Sequence, residues 1–392
     1  MKKIVFTEEF CKPENLFPFT LTKQIQDLRV GILTIREKWE KILSMPSFDK
    51  KEDDYKDLSR SLHLDQIGEK DICFLLHGNI LPTKELVSAI LKLKNGQCLT
   101  TKDGNSIAYR ITKKEIKSRH KIQVTAHQIF DSPIVAINFP WDILQINDWA
   151  IREDFTLLTK GRKSAKIPAG TKAINPKQVF IERGASISHA VINAKEGPVY
   201  IGKNAVIMEG SLIRGPFAIG ESGCVKMGAK VYGATSLGPK CTVGGELKNV
   251  IFFGYSNKAH DGYLGDSVIG EWCNMGAGTS NSNLKNNAKT IKVWTPDGEK
   301  SVGNKFGTLV GDYTRTAINT SINTGTVIGV SCNVFGNGLT PGYVPSFSWG
   351  SEGVERYKQE NAIEDIAAWK LLKGEKITEE ESFILRTIYK NY

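Results

Sequence analysis

The sequence lacks several features that mark common protein classes. Its seven cysteines (Cys11, Cys73, Cys98, Cys224, Cys241, Cys273 and Cys332) form no Cys-x-x-Cys pair or other metal-like spacing. That excludes a zinc ribbon and makes reduced thiols in a cytoplasmic chain the expectation. No apolar run is long enough to span a bilayer, so no membrane role is expected. The opening "MKKIVFTEEFCK" holds too short an apolar stretch for a secretory signal. The formal charge of +10 is scattered, with no aromatic-interleaved basic stripe, so nucleic acid is not the expected partner. A basic surface of this kind attracts phosphorylated small molecules instead. Histidine is scarce, six in 392 residues, and only His189 and His260 fall in the central region. A zinc site of three histidines is thereby excluded, and no metal is expected in that region.

The chain is rich in one period. Ile201, Ile207, Ile213, Ile219, Val225, Val231, Leu237 and Val243 are aliphatic at a spacing of six. Glycine follows several of them directly, at Gly202, Gly220, Gly238 and Gly244. The spacing returns at Ile269 and Met275 and again at Ile322, Ile328 and Val334. Six fits neither a helix nor simple strand alternation. It predicts a hexapeptide parallel β-helix, in which each repeat turns one aliphatic side chain inward and small residues occupy the corners.

The expected organisation is an α/β domain over residues 1–158, a β-helix over 159–348 and a helical tail over 349–392, broken at Gly374. The first region alternates apolar strands ("KIVF", "DICFLL", "IVAI") with a helical pattern ("KELVSAILKL"). The tail reads as a cap on the prism or on a neighbour. Two breaks in the period, between Val243 and Ile269 and between Met275 and Val310, are expected to be loops that carry function. The second contains "TPDG", a hairpin turn signal.

The first break holds "GYSNKAHDGYLGDSVIGEWCN", followed by "NMGAGT" and "SNLKNNAK". These stretches are similar to the acetyltransferase half of the bifunctional glucosamine-1-phosphate acetyltransferase/N-acetylglucosamine-1-phosphate uridyltransferases. With "LRVGILTIREKWE", "IRGPFAI", "NTGTV" and "SFSWG" they resemble more closely an alternative branch of that family, of Bacteroidetes type. The resemblance implies a left-handed β-helix, a homotrimer, and transfer of an acetyl group from acetyl-CoA to an amino sugar 1-phosphate, in nucleotide-sugar biosynthesis. It implies His260 as the general base that takes a proton from the sugar's ammonium group, a task for which imidazole titrates in the right range. Tyr263 and Asn274 match residues that hold the sugar and the acyl group, and Lys248, Asn283 and Lys289 match the sugar-phosphate site. Coenzyme A is implied near Asp312, Gly329 and Gly336.

The chain also departs from the family. Leu284 stands where a tyrosine follows the asparagine, Asp312 stands for a serine, and the segment from Thr290 to Phe306 is longer. In the first region "FPFTLTKQIQDLRVG" has no glycine-rich phosphate loop; Lys23 takes the place of an arginine and Arg29 approximates a lysine. In "FLLHGNILPTKELVSAIL" Asn79 replaces a metal-binding aspartate, and Asn147 in "LQIND" is the candidate second ligand. The implied ligands there are UTP and Mg²⁺, with nucleotide sugars as small-molecule partners. Two alternatives stand beside acetyl transfer: nucleotide transfer as the main activity, with the β-helix assembling the trimer, and a non-catalytic sugar-nucleotide sensor.

Overall fold

The computed structural model describes residues 1–8, 11–50, 60–117 and 121–391. Contacts divide the chain into two compact units. One is Met1–Pro13, Lys23–Leu28 and Leu33–Asn138; the other is Glu14–Thr22, Arg29–Ile32 and Phe139–Tyr392.

The first unit is built on a mixed seven-stranded sheet. Lys2–Thr7 lies between Ser47–Lys50 and Ile72–His77, parallel to both, and Ser106–Ile111 pairs antiparallel with Ile72–His77. Helix Ile35–Leu43 starts at a capping box in which Thr34 and Glu37 satisfy each other's backbone N–H groups. The expected strands at "KIVF" and "DICFLL" and the helix in "KELVSAILKL", Lys84–Lys92, are present. "IVAI" forms only a single bridge, Ala136 to Ile80.

The second unit is a three-faced parallel β-helix. Val199 pairs with Phe217 and Phe217 with Thr235, so one coil is three six-residue units. The first face contains Val199–Ile201, Phe217–Ile219 and Thr235–Leu237; the second contains Val206–Ile207, Cys224–Val225 and Thr242–Val243; the third contains Leu212–Arg214 and Lys230–Tyr232. All eight aliphatic residues of the period are buried in one core cluster. The period exists because each short strand turns one of them inward, where burial removes it from water.

The first expected loop is not a loop. Strand continues through it as Glu246–Gly254, Asn257–Lys258 and Tyr263–Glu271, with Leu247, Phe252, Leu264 and Ile269 buried in the core. The coil is merely shorter: Thr242 pairs with Asn257, whereas Cys224 pairs with Thr242. Shortening shifts the sequence out of the six-residue count while the winding goes on. The second break does hold an excursion, with Lys292–Val293 and Lys300–Ser301 forming an antiparallel hairpin over the "TPDG" turn.

Helix Pro140–Thr159 groups with the second unit by its contacts, as do Glu14–Thr22 and Arg29–Ile32. It lies against strands Thr235–Leu237, Glu246–Gly254 and Tyr263–Glu271. Helices Gln359–Leu371 and Glu379–Asn391, separated at Gly374 (φ +75°), share a cluster with Tyr313, Val330 and Phe347 of this same chain's β-helix. No helix among the described residues is long and apolar enough to cross a membrane.

Candidate functional site

The candidate site forms where the chain turns from the second face to the third. That turn is four residues long between Val225 and Lys230 and between Met275 and Ser280, but only Gly244 and Gly245 span it between Val243 and Glu246. The next turn, Ala259–Gly262, carries His260. A Cβ on Gly244 would come within 2.4 Å of the Ala259 carbonyl oxygen, and one on Gly245 (φ +71°) within 2.8 Å of that of Gly262. Glycine is therefore required, and the coil before His260 presents no side chain at this edge. On the other side the corresponding residue is the small Ala277. Other coils fill the position with Met227 or Ile318, both strongly exposed. His260 thus stands exposed in a notch, and its imidazole makes no hydrogen bond among the described residues.

Beneath it lies Lys258. It pairs with Val243 in the inward row of the second face, a position for an aliphatic residue, and is 1% exposed. Its ammonium donates to the His260 carbonyl at 2.6 Å. Burial pushes this ammonium down to about 8, against the opposing pull of Asp261. The signal for it lies in the sequence: a charged residue two positions before His260 in a solenoid of aliphatic cores.

Across the turn, the third face gathers a polar network. Asn283 Nδ2 donates to the Tyr263 hydroxyl at 3.0 Å and to Asp266 at 2.5 Å, and Asn249 Nδ2 donates to the other Asp266 oxygen at 2.8 Å. Asn249 (φ +53°) and Asp266 (φ +48°) hold left-handed corner positions, which these two residue types tolerate best after glycine. Burial, then the Asp266 charge, raises the Tyr263 phenol above its ordinary range. Lys248 is half-buried, flanked in register by Tyr232 and Gly265, and Tyr232 donates to Glu246 at 2.6 Å, which raises its phenol to about 12.

His260 and Tyr263 thus flank one turn and Asn283 reaches the Tyr263 hydroxyl, while Lys248 lies at the far end of the third face, beside the corner residue Asn249. Asn274 lies just before the His260 edge, on the second face, and accepts from Asn257 Nδ2 at 3.3 Å. Lys289 is exposed in the excursion, and its side chain makes no hydrogen bond among the described residues. Asn249 and Asp266 carry no signal in the motif, because nothing in the six-residue count distinguishes these corner residues from turn formers.

The expected coenzyme A residues separate. Gly336 follows Asn333–Val334 on the His260 edge, three coils further on, roughly 14 Å at the spacing of paired strands. It borders a recess of about 290 Å³ between Phe335, Trp349 and Ser351. Asp312 and Gly329 occupy the edge between the first and second faces. Asp312 is buried and accepts from the Thr22 hydroxyl at 2.6 Å and the Glu271 N–H at 2.8 Å. Gly329 lies against Ser346, where a Cβ would meet the backbone N at 2.4 Å. Both make contacts within the β-helix, on a different edge from His260.

The expected nucleotide residues also have partners within the chain. Asn147 is fully buried; its oxygen accepts from the Gly31 N–H and the Ser236 hydroxyl, and its nitrogen donates to the Ala234 carbonyl. No lone pair remains for a cation. Arg29 donates to the carbonyls of Phe253 and Ile32. Asn79, in the first unit with the half-buried Lys23, accepts from the Cys11 thiol at 3.1 Å and donates to Asn138. A neutral amide held this way brings a hard cation no charge, so these residues do not fit Mg²⁺.

Residues 4–163 match the family model described as sugar nucleotidyl transferase. A bifunctional sugar-1-phosphate nucleotidylyltransferase/acetyltransferase of Sulfurisphaera tokodaii is 28% identical over 264 residues, covering 65% of this chain and 59% of that protein. The bifunctional protein GlmU of Methanocaldococcus jannaschii is 31% identical over 203 residues, 49% of this chain and 41% of that protein. That of Methanococcus aeolicus is 37% identical over 84 residues, 21% and 20% respectively. The chain thus spans about three-fifths or less of the length of these curated relatives. By sequence it is similar to bifunctional sugar-1-phosphate nucleotidylyltransferase/acetyltransferases, with the sugar nucleotidyl transferase match confined to residues 4–163.

Proposed function

We propose that the chain is a cytoplasmic transferase that moves an acetyl group from acetyl-CoA to the amine of an amino sugar 1-phosphate, working as a homotrimer. The observation that carries this reading is His260 standing unpaired in a notch among the described residues, with the Tyr263–Asn283–Asp266 network immediately across the turn. An amino sugar arrives as an ammonium ion, and its nitrogen attacks a thioester only after losing a proton. An exposed imidazole held by its backbone can accept that proton. Tyr263 and Asn283 offer hydroxyl and amide groups to the sugar, and Lys248 offers a point charge to its phosphate. Coenzyme A runs along the same edge toward Gly336.

The test is thiol release from acetyl-CoA by the full chain in the presence of glucosamine 1-phosphate. Release that depends on the sugar supports the reading; a trimer that releases none overturns it.

A second reading makes sugar-1-phosphate nucleotidyl transfer the main activity, and the family match over residues 4–163 favours it. The structural roles of Asn147 and Arg29 and the amide at Asn79 weigh against turnover there. Pyrophosphate release from UTP and N-acetylglucosamine 1-phosphate with Mg²⁺ is expected to be weak or absent, and a robust rate would restore this alternative.

A further inference from the structure

The second face carries a row of outward polar side chains on four consecutive strands. Asn257 is in register with Asn274, Asn274 with Arg315, and Arg315 with Asn333. The hydrogen bonds along the row run in one direction. Lys373 Nζ, from the tail, donates to Asn257 Oδ1 at 2.9 Å, and Asn257 Nδ2 donates to Asn274 Oδ1 at 3.3 Å. Next along the row come two donors, Asn274 Nδ2 and, one strand on, the guanidinium of Arg315, before the row closes at Asn333.

That guanidinium is the anomaly. Arg315 is 8% exposed and lies under Trp369 of helix Gln359–Leu371, 5.4 Å from the ring centroid. Its Nε is shut off from solvent without an acceptor, and the group forms no hydrogen bond or ion pair among the described residues. The acid within electrostatic reach is Asp365, which instead accepts from the Tyr357 hydroxyl. Burial pushes the guanidinium below its ordinary range, with Tyr357 and Asp365 opposing. A buried arginine normally has its planar donors filled, because a charge out of water without a partner is among the costliest arrangements in a fold. Adjacent donors with no acceptor between them call for an oxyanion, and a guanidinium fork suits a phosphoryl group in particular.

We propose that Arg315 and Asn274 form a binding site for a phosphate group, roofed by Trp369. The phosphate arrives either free or as part of a phosphorylated substrate. Nothing in the site needs His260 to be a base, so binding can be read without turnover.

The experiment is calorimetric titration of the full chain with inorganic phosphate, glucosamine 1-phosphate and coenzyme A, repeated on Arg315→Met and Asp365→Asn. At least one probe is expected to bind the wild type, and Arg315→Met to weaken it about tenfold or more, the size of a charge-assisted hydrogen bond. The melting temperature of Arg315→Met should not fall, since the variant removes an uncompensated charge. Asp365→Asn, at an exposed residue, should tighten binding by removing the competing carboxylate. Binding by inorganic phosphate as tight as by the organic phosphates identifies the free ion as the ligand; tighter binding by coenzyme A or the sugar phosphate identifies that source. Failure of all three probes to bind the wild type would overturn the proposal. So would equal affinity in Arg315→Met, or a crystal structure in which Arg315 pairs with Asp365.

Discussion

Two edges of the same prism are built from the same backbone turn and put to opposite uses. The edge between the first and second faces holds a left-handed residue in every coil from Asn204 to Phe347, with φ between 52° and 63°. In four of its five later coils these are large, Tyr255, Trp272, Tyr313 and Phe347, with Ser331 the exception, and Tyr255 and Trp272 stack at 4.2 Å. The tail helices close over Tyr313 and Phe347, and Asp312 is spent on hydrogen bonds to the chain. The edge between the second and third faces is bare around His260. It is lined by Gly244 and Gly245, and its histidine faces solvent. Strain at the first edge is offset by packing; at the second the space is left open, with a buried charge beneath it. The difference teaches that in a solenoid the backbone repeats while the side chains decide which edge is core and which is site.

Four substitutions test that contrast. The largest effect is expected for His260→Ala, which should lower acetyl transfer by roughly 10²–10⁴-fold, the usual contribution of a positioned proton acceptor. Its melting temperature should match wild type, because an exposed turn residue carries little of the core. Higher pH should partly restore the rate by deprotonating the free amine. A variant that melts early would erase the contrast.

Phe347→Ala, at the packed edge, should do the reverse: a loss of about 3–5 kcal/mol in denaturant unfolding, with turnover per folded molecule unchanged.

Lys258→Met probes whether the open edge carries a cost in stability. With its ammonium lowered to about 8 from 10.5, Lys258 binds fewer protons in the folded than in the unfolded chain between those two pH values. Stability should therefore rise with pH across that window, by roughly 3 kcal/mol in all, and the cost is fully present below it. The methionine variant should be the more stable protein at neutral pH and should lose the rise. A flat wild-type profile from about pH 8 to 10.5 would remove Lys258 from the contrast.

The smallest effect, about 1–3 kcal/mol, is expected for Asp312→Ala, which leaves the Thr22 and Glu271 donors without their acceptor, with no change in coenzyme A affinity. A large change in that affinity would return Asp312 to the ligand site.

The winding is legible in the sequence because burial imposes a period, and Ile201 to Val243 obey it without exception. Its continuation through residues 246–271 is not, because a coil shortened at Gly244 and Gly245 loses the count while keeping the geometry. His260, Tyr263 and Asn283 emerge from motif resemblance; His260 and Tyr263 flank one turn, and Asn283 donates to the Tyr263 hydroxyl. Asn147 and Arg29 are ambiguous in the sequence for a physical reason: polar residues in a ligand-like segment look the same whether they face a ligand or a neighbouring carbonyl. Only the tertiary partners, Ala234, Ser236 and Phe253, distinguish the two. The aromatic edge leaves no trace in the sequence, since propensity disfavours Trp272 and Phe347 at positive φ and only packing selects them.

The two nine-residue strands, Glu246–Gly254 and Tyr263–Glu271, run unbroken around a corner that other coils interrupt. A solenoid behaves as a one-dimensional array whose stability passes from each repeat to the next. These two strands are its stiffest link, joined over most of their length instead of by two or three residues. Fraying that begins at either end of the array should stop on reaching them. His260 lies on the short segment between the two, so the turn that presents it should be the last to fray.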